Sequence, residues 1–160
     1  LELVFGCYRN DSSVYALNAE DGSLLWKYNT HSPGYEGCND VAPIVYDIDG
    51  DGTSEVIVPS SCNPTTYCLD GKTGVVKWKY DGFGLGSLLA ANGKLIVLGD
   101  RGQLAVGDAS PAGFKPMARA QVLGGKCWTV PVLSHGLLYC RNARGDLVGL
   151  DLRRDDGLER

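Results

Sequence analysis

Thr66-Tyr67-Cys68-Leu69-Asp70-Gly71-Lys72-Thr73-Gly74-Val75-Val76-Lys77-Trp78-Lys79-Tyr80 is the second copy of a unit that first reads Val14-Tyr15-Ala16-Leu17-Asn18-Ala19-Glu20-Asp21-Gly22-Ser23-Leu24-Leu25-Trp26-Lys27-Tyr28. The copies lie 52 residues apart, with Tyr, Leu, Gly, Trp, Lys and Tyr in register. A weaker third copy runs from 104 to 114, and a fourth begins at 147–151 and stops before its Gly and Trp. Each copy reads as a strand, a Gly-centred turn and another strand. Repetition of this kind marks an array of like units, none of which buries its apolar face alone.

Working outward, each copy is preceded by a further strand or pair of strands. These are 3–8; 43–47 with 55–59; 87–91 with 94–99; and 129–134 with 136–141. Asp21-Gly22, Asn92-Gly93, Arg101-Gly102, His135-Gly136 and Arg144-Gly145 suit turns that need a positive φ. Glycine is frequent (22 of 160 residues) but spread out, as hairpins require and a linker would not. No amphipathic helix of normal length is visible. The chain reads as all-β, with strands grouped three, four, four and three. The first group lacks its inner strand and the last its outer one.

Four-stranded units in series are propeller blades. The pattern Ala/Cys-Leu-(Asn/Asp)-x-x-(Asp/Thr)-Gly-x-x-x-Trp resembles the repeat of pyrroloquinoline-quinone-type propellers. That resemblance implies that Trp26 and Trp78, on outer strands, dock against the neighbouring blade. The segments at 119–132 and 138–148 are similar to the C-terminal part of bacterial quinoprotein-like propellers. We therefore expect one β-propeller or part-propeller of about three and a half to four antiparallel blades, at about 1–30, 38–81, 84–120 and 126–154. The two halves differ in repeat style, which leaves a seam near 80–86 and a fusion of two sources open. Propellers close with about 4–8 blades, so three explanations compete. The chain is a fragment of a longer ring, an arc that closes with a second copy as a homodimer, or a small ring of irregular blades. Leu1 in place of Met, and the abrupt end at Arg160, favour a fragment or an engineered half-propeller.

Between two of these strands lies Asp47-Ile48-Asp49-Gly50-Asp51-Gly52-Thr53-Ser54-Glu55. Carboxylates at positions one, three, five and nine can converge on one point, and a hard cation such as Ca²⁺ takes about 6–8 oxygens. Gly52 permits the sharp turn behind Asp51, and the Thr53 backbone carbonyl would supply the oxygen at position seven. The competing reading is a solvated Asp/Gly turn. An EF-hand is excluded, because position twelve is Val58 and strands rather than helices flank the loop. Residues 41–59 resemble the FG-GAP repeat of integrin-type propellers. That resemblance implies a structural Ca²⁺ held by Asp47, Asp49, Asp51, Thr53 and Glu55, with no catalytic duty.

Composition narrows the function classes. A net charge of −4 with no Lys/Arg-rich face gives no footprint for nucleic acid. No run approaches the roughly 18–20 apolar residues of a membrane-spanning helix, and no secretory leader is visible. Six cysteines are many for this length. Cys38 and Cys62 lie in loops that could approach, so a disulfide is one reading and free thiols the other. Cys68, Cys127 and Cys140 fall in or beside strands and read as small buried apolar residues. Calcium with a disulfide favours an extracytoplasmic place, periplasmic or extracellular.

Other chemistry finds little support. His31 and His135 read as solvated loop residues, and no Gly-x-Ser-x-Gly elbow accompanies them. Residues 82–87 imitate a phosphate loop but lead into a strand, where a helix N-terminus is needed. No CxxC supports zinc. The quinoprotein resemblance implies, as the alternative, a fragment of a quinone-dependent dehydrogenase. The chain lacks that family's adjacent Cys-Cys pair, and Trp128 faces either the propeller axis or the core. The expected role is a non-catalytic scaffold or binding module, similar in function to the periplasmic outer-membrane assembly lipoprotein. Its partner would be another protein or its own second copy.

Overall fold

The computed structural model describes residues 2–8, 11–31, 34, 39, 41–59 and 63–153. These form four antiparallel sheets in chain order. The first holds β1 (Glu2–Gly6), β2 (Ser13–Asn18) and β3 (Leu24–Asn29). The second holds β4 (Ile44–Tyr46), β5 (Glu55–Val58), β6 (Thr65–Asp70) and β7 (Val76–Asp81). The third holds β8 (Ser87–Ala91), β9 (Lys94–Leu98), β10 (Gln103–Ser110) and β11 (Gly113–Gln121). The last holds β12 (Val132–Ser134), β13 (Leu137–Arg141) and β14 (Leu147–Asp151). Every strand pairs with its sequence neighbour, so each sheet is a simple meander. The three-four-four-three grouping is the one the repeats predict. Among the described residues the first sheet has no counterpart of β4, and the last none of β11.

The paired repeats take the same local form. Gly22 N–H donates to the Asn18 carbonyl and Gly74 N–H to the Asp70 carbonyl, each at 2.8 Å. The five turns named from the sequence all place glycine at positive φ, and Asn92 and His135 join them at 50°.

Sheets stack face to face through three apolar clusters, and strand parity explains the stacking. On β5, Val56 and Val58 face Trp26 and Val14 of the first sheet, while Ile57 turns to Leu88, Val97 and Phe114 of the third. On β9, Leu95 and Val97 join that second cluster, and Ile96 and Leu98 turn to Leu138 and Cys140 of the last sheet. Strands covered on both faces read as unbroken apolar runs, and β5 is buried at every position. The terminal β13 and β14 alternate instead, because among the described residues one face has no neighbouring sheet.

The expected tryptophan docking is present. Trp26 Nε1 donates to the Gly71 carbonyl of the second sheet at 2.8 Å, and Trp78 Nε1 to the Ser110 carbonyl of the third at 2.8 Å. A Cβ at Gly74, whose φ is +70°, would stand 2.8 Å from the Trp26 ring. Glycine is therefore required there twice over, for its φ and for the close approach. Cys68, Cys127 and Cys140 are buried and free, as expected. Trp128 departs from the core position considered for it. It is 63% exposed with the Lys126 ammonium 4.7 Å over its ring, in the connection leading to the open-faced last sheet. The Cys38–Cys62 pairing falls outside the described residues.

Candidate metal centre

The acidic nonapeptide forms the corner between β4 and β5. Register sets its base, since Tyr46 faces Glu55 across the hairpin and Glu55 faces Asp70 across β5 and β6. From there the chain folds back through Gly50 and Gly52, at φ 76° and 83°. That fold aims backbone donors inward. Asp47 Oδ1 accepts the Gly50 N–H at 2.7 Å and its Oδ2 the Gly52 N–H at 2.9 Å, while Asp49 Oδ1 accepts the Asp51 N–H at 3.2 Å.

Three of the four predicted carboxylates come together. One oxygen each from Asp47, Asp49 and Glu55 lie within 4.8 Å of one another. Asp51 is turned along the loop and accepts the Thr53 N–H at 2.6 Å. Asp49 is exposed, whereas Glu55 is fully buried. A buried carboxylate must be satisfied. Glu55 Oε2 accepts the Ile48 N–H at 3.0 Å, and Oε1 accepts a hydrogen bond from the Lys77 ammonium on β7.

Lys77 was not foreseen from the sequence. A signal was present, because the aligned position in the first repeat is Leu25. A lysine beside the docking tryptophan, where the repeat has an apolar residue, asks for an acidic partner.

The electrostatics follow from these contacts. Partial burial pushes the Asp47 carboxyl up, but the N–H groups of Gly52 and Gly50 outweigh it and hold the group below the ordinary aspartate range. The hydrogen bond to Glu55 raises Lys77 against the opposing effect of desolvation. Burial, and then the charge of Glu55, push the Cys68 thiol up to about 12. That thiol is inert.

The donor set is chemically apt for a hard cation. It consists of carboxylate oxygens only, and each bonded oxygen keeps a second lone pair after accepting one hydrogen bond. Asp47, Asp49 and Glu55 are the residues that could hold it, with the Lys77 ammonium already on one oxygen of the Glu55 carboxylate. A second opening, of about 570 Å³, lies between the second and third sheets at the opposite edge and is lined by Phe83, Leu85, Asp100, Arg101 and Gln121. Among the described residues Asp100 is the one carboxylate in its lining, and no nucleophile or second metal-ligating group stands beside it.

Comparison with known proteins bears on the fold around this corner. Residues 10–155 match the protein family described as outer membrane protein assembly factor BamB. No curated protein matches the chain. Among solved structures it is similar to BamB from Moraxella catarrhalis, at 22% identity and TM-score 0.70 over 93% of this chain and 42% of that one. It is also similar to Sqt1 from Saccharomyces cerevisiae, at 19% identity and TM-score 0.74 over 94% of this chain and 44% of that one. A third likeness is the computationally designed Ika4 protein, at 11% identity and TM-score 0.68 over 95% of this chain and 86% of that one. The chain spans less than half the length of the first two.

Proposed function

Because the chain belongs to the family of the outer membrane protein assembly factor BamB, we propose that it is a non-catalytic propeller scaffold whose open ends meet a second copy of itself. In this reading one corner of the scaffold is braced by calcium, and the protein works outside the cytoplasm.

The observation that carries this reading is the pair of uncovered end faces. On the first sheet Leu3 and Leu25 are 54% and 45% exposed, beside Phe5, which stacks on Tyr15. On the last sheet Val132 and Leu147 are 59% and 67% exposed, beside Tyr139. Isolated exposed apolar residues need no explanation, but two contiguous sheet faces do. They are the two halves of the junction that every internal sheet pair repeats. A second copy is the occupant that fits, since two arcs of this length match the length of the BamB and Sqt1 chains. A computationally designed protein of about this chain's length shares the fold.

Calcium enters as a stabiliser. An ion bound only by the folded state adds about 2.7 kcal/mol at a hundredfold excess over Kd. The test is light scattering joined to thermal melting, each in calcium and in chelator. We expect a species of twice the chain mass in calcium, and an Asp49→Ala variant that melts lower than the wild type in calcium but alongside it in chelator. A monomer under all conditions removes the second copy, and equal losses in both buffers remove the metal. Redox-dye activity on alcohols after addition of the quinone would favour the dehydrogenase alternative.

A further inference from the structure

The ion pair inside the acidic corner carries one step more, which rests on the calcium reading above. Glu55 is the only one of the three converging carboxylates that is fully buried, and its Oε1 is held by Lys77. Lys77 is a side chain from the outermost strand of the sheet, reaching back across β6. It remains 21% exposed, so its ammonium has a path to water that Glu55 lacks. The charges of Asp49 and Asp70 also act on it. The first repeat has Leu25 at this position, so the docking of Trp26 proceeds there without a lysine.

We propose that Lys77 is the resident cation of the corner. Its tethered ammonium neutralises Glu55 while the loop is without metal, and calcium binds by displacing it into solvent. Two cations held at one buried carboxylate repel each other strongly in a region of reduced dielectric. Lys77 therefore sets calcium affinity from inside the fold, and the corner is never left as an uncompensated cluster of acids. The cost of this arrangement is weaker metal binding.

The test is calorimetric titration of the full chain with calcium chloride, for the wild type, Lys77→Met and Lys77→Arg, with melting curves in chelator. Lys77→Met keeps the aliphatic stem and removes the charge. It is expected to melt well below the wild type in chelator, to recover in calcium, and to bind calcium at least tenfold more tightly. Lys77→Arg keeps the charge and is expected to bind within about threefold of the wild type. Should the methionine variant be too unstable to titrate, Lys77→Gln is titrated in its place, with the same tenfold gain expected and the same unchanged affinity overturning the proposal. Unchanged or weaker affinity in Lys77→Met overturns the proposal, as does an arginine variant that gains as much as methionine. Both outcomes leave the calcium reading standing as long as the wild type still binds. Absence of calcium binding in all three proteins ends both.

Discussion

The second and third sheets close the same corner in opposite ways. Between β8 and β9 the chain turns through Asn92 and Gly93, at φ 50° and 70°, which is the two-residue hairpin those residues favour. Between β4 and β5 it takes the residues 47–54, with three aspartates. The residue that opens the following strand also changes sign. Lys94 faces Asp108 in register and pairs with it at the surface, 40% and 52% exposed. Glu55 faces Asp70 in register and is buried, so its cation comes from a strand further out. The two corners touch, since the Gly93 N–H donates to the Tyr46 hydroxyl at 3.1 Å. A tight turn can neutralise its acid within one strand pair. The long loop gathers Asp47, Asp49 and Glu55 beside Lys77, and the surplus negative charge is what a divalent ion would meet.

The largest effect should come from breaking the buried side of this comparison. Glu55→Ala removes the acceptor of the Ile48 N–H and the partner of Lys77 together. Losing a charge-assisted buried hydrogen bond and leaving its donor unpaired costs about 3 kcal/mol, lessened where the freed ammonium can reach water. Urea unfolding in chelator should show that loss, with a further deficit when calcium is added to both proteins. A loss below about 1 kcal/mol in chelator would mean that the acidic corner holds no structural pair.

Much of the fold was legible because its signals are local and repeated. The copies at 14–28 and 66–80 announced strand, turn and strand, and the docking tryptophans found their expected neighbours. Both-sided burial was legible in Val56-Ile57-Val58 and in Leu95-Ile96-Val97-Leu98, where an apolar run lacks alternation. The loop's spacing placed Asp47, Asp49 and Glu55 together, but it did not tell that Asp51 would turn to the Thr53 N–H. That choice is made within two residues by a competing backbone donor, as short acidic side chains often allow. Lys77 was hidden for a different reason. It meets Glu55 across 22 residues and an intervening strand, and only a long, flexible stem makes that contact possible. Of the two readings of Trp128 the core one fails, since its side chain is 63% exposed in the connection between β11 and β12.

An intermediate effect tests whether the corner acts locally or through the sheet junction. Trp78 fastens the second sheet to the third through the Ser110 carbonyl, and Trp26 fastens the first to the second through Gly71. Trp78→Phe keeps most of the apolar contact but leaves that carbonyl without its donor, for about 1–2 kcal/mol. Trp26→Phe should cost a similar amount. Neither loss should depend on calcium, as neither tryptophan belongs to the acidic corner. A calcium-dependent loss at Trp78 alone would join the corner to the junction and replace the local picture drawn above.

The smallest effect belongs to the surface pair, and it is informative because it is small. Lys94→Ala removes an ammonium from Asp108 much as Lys77→Met removes one from Glu55. The environments differ, since Lys94 and Asp108 both stand in water and can each be rehydrated. Exposed pairs contribute about 0–1 kcal/mol, and salt screens them. Lys94→Ala should therefore shift urea unfolding by less than about 1 kcal/mol at low salt, with the shift fading as salt is raised. The loss in Lys77→Met should persist at the same salt, because a pair with one buried partner is screened far less than a surface pair. Equal and equally screened losses at the two lysines would show that Glu55 is hydrated in solution, and the contrast between the corners would reduce to loop length.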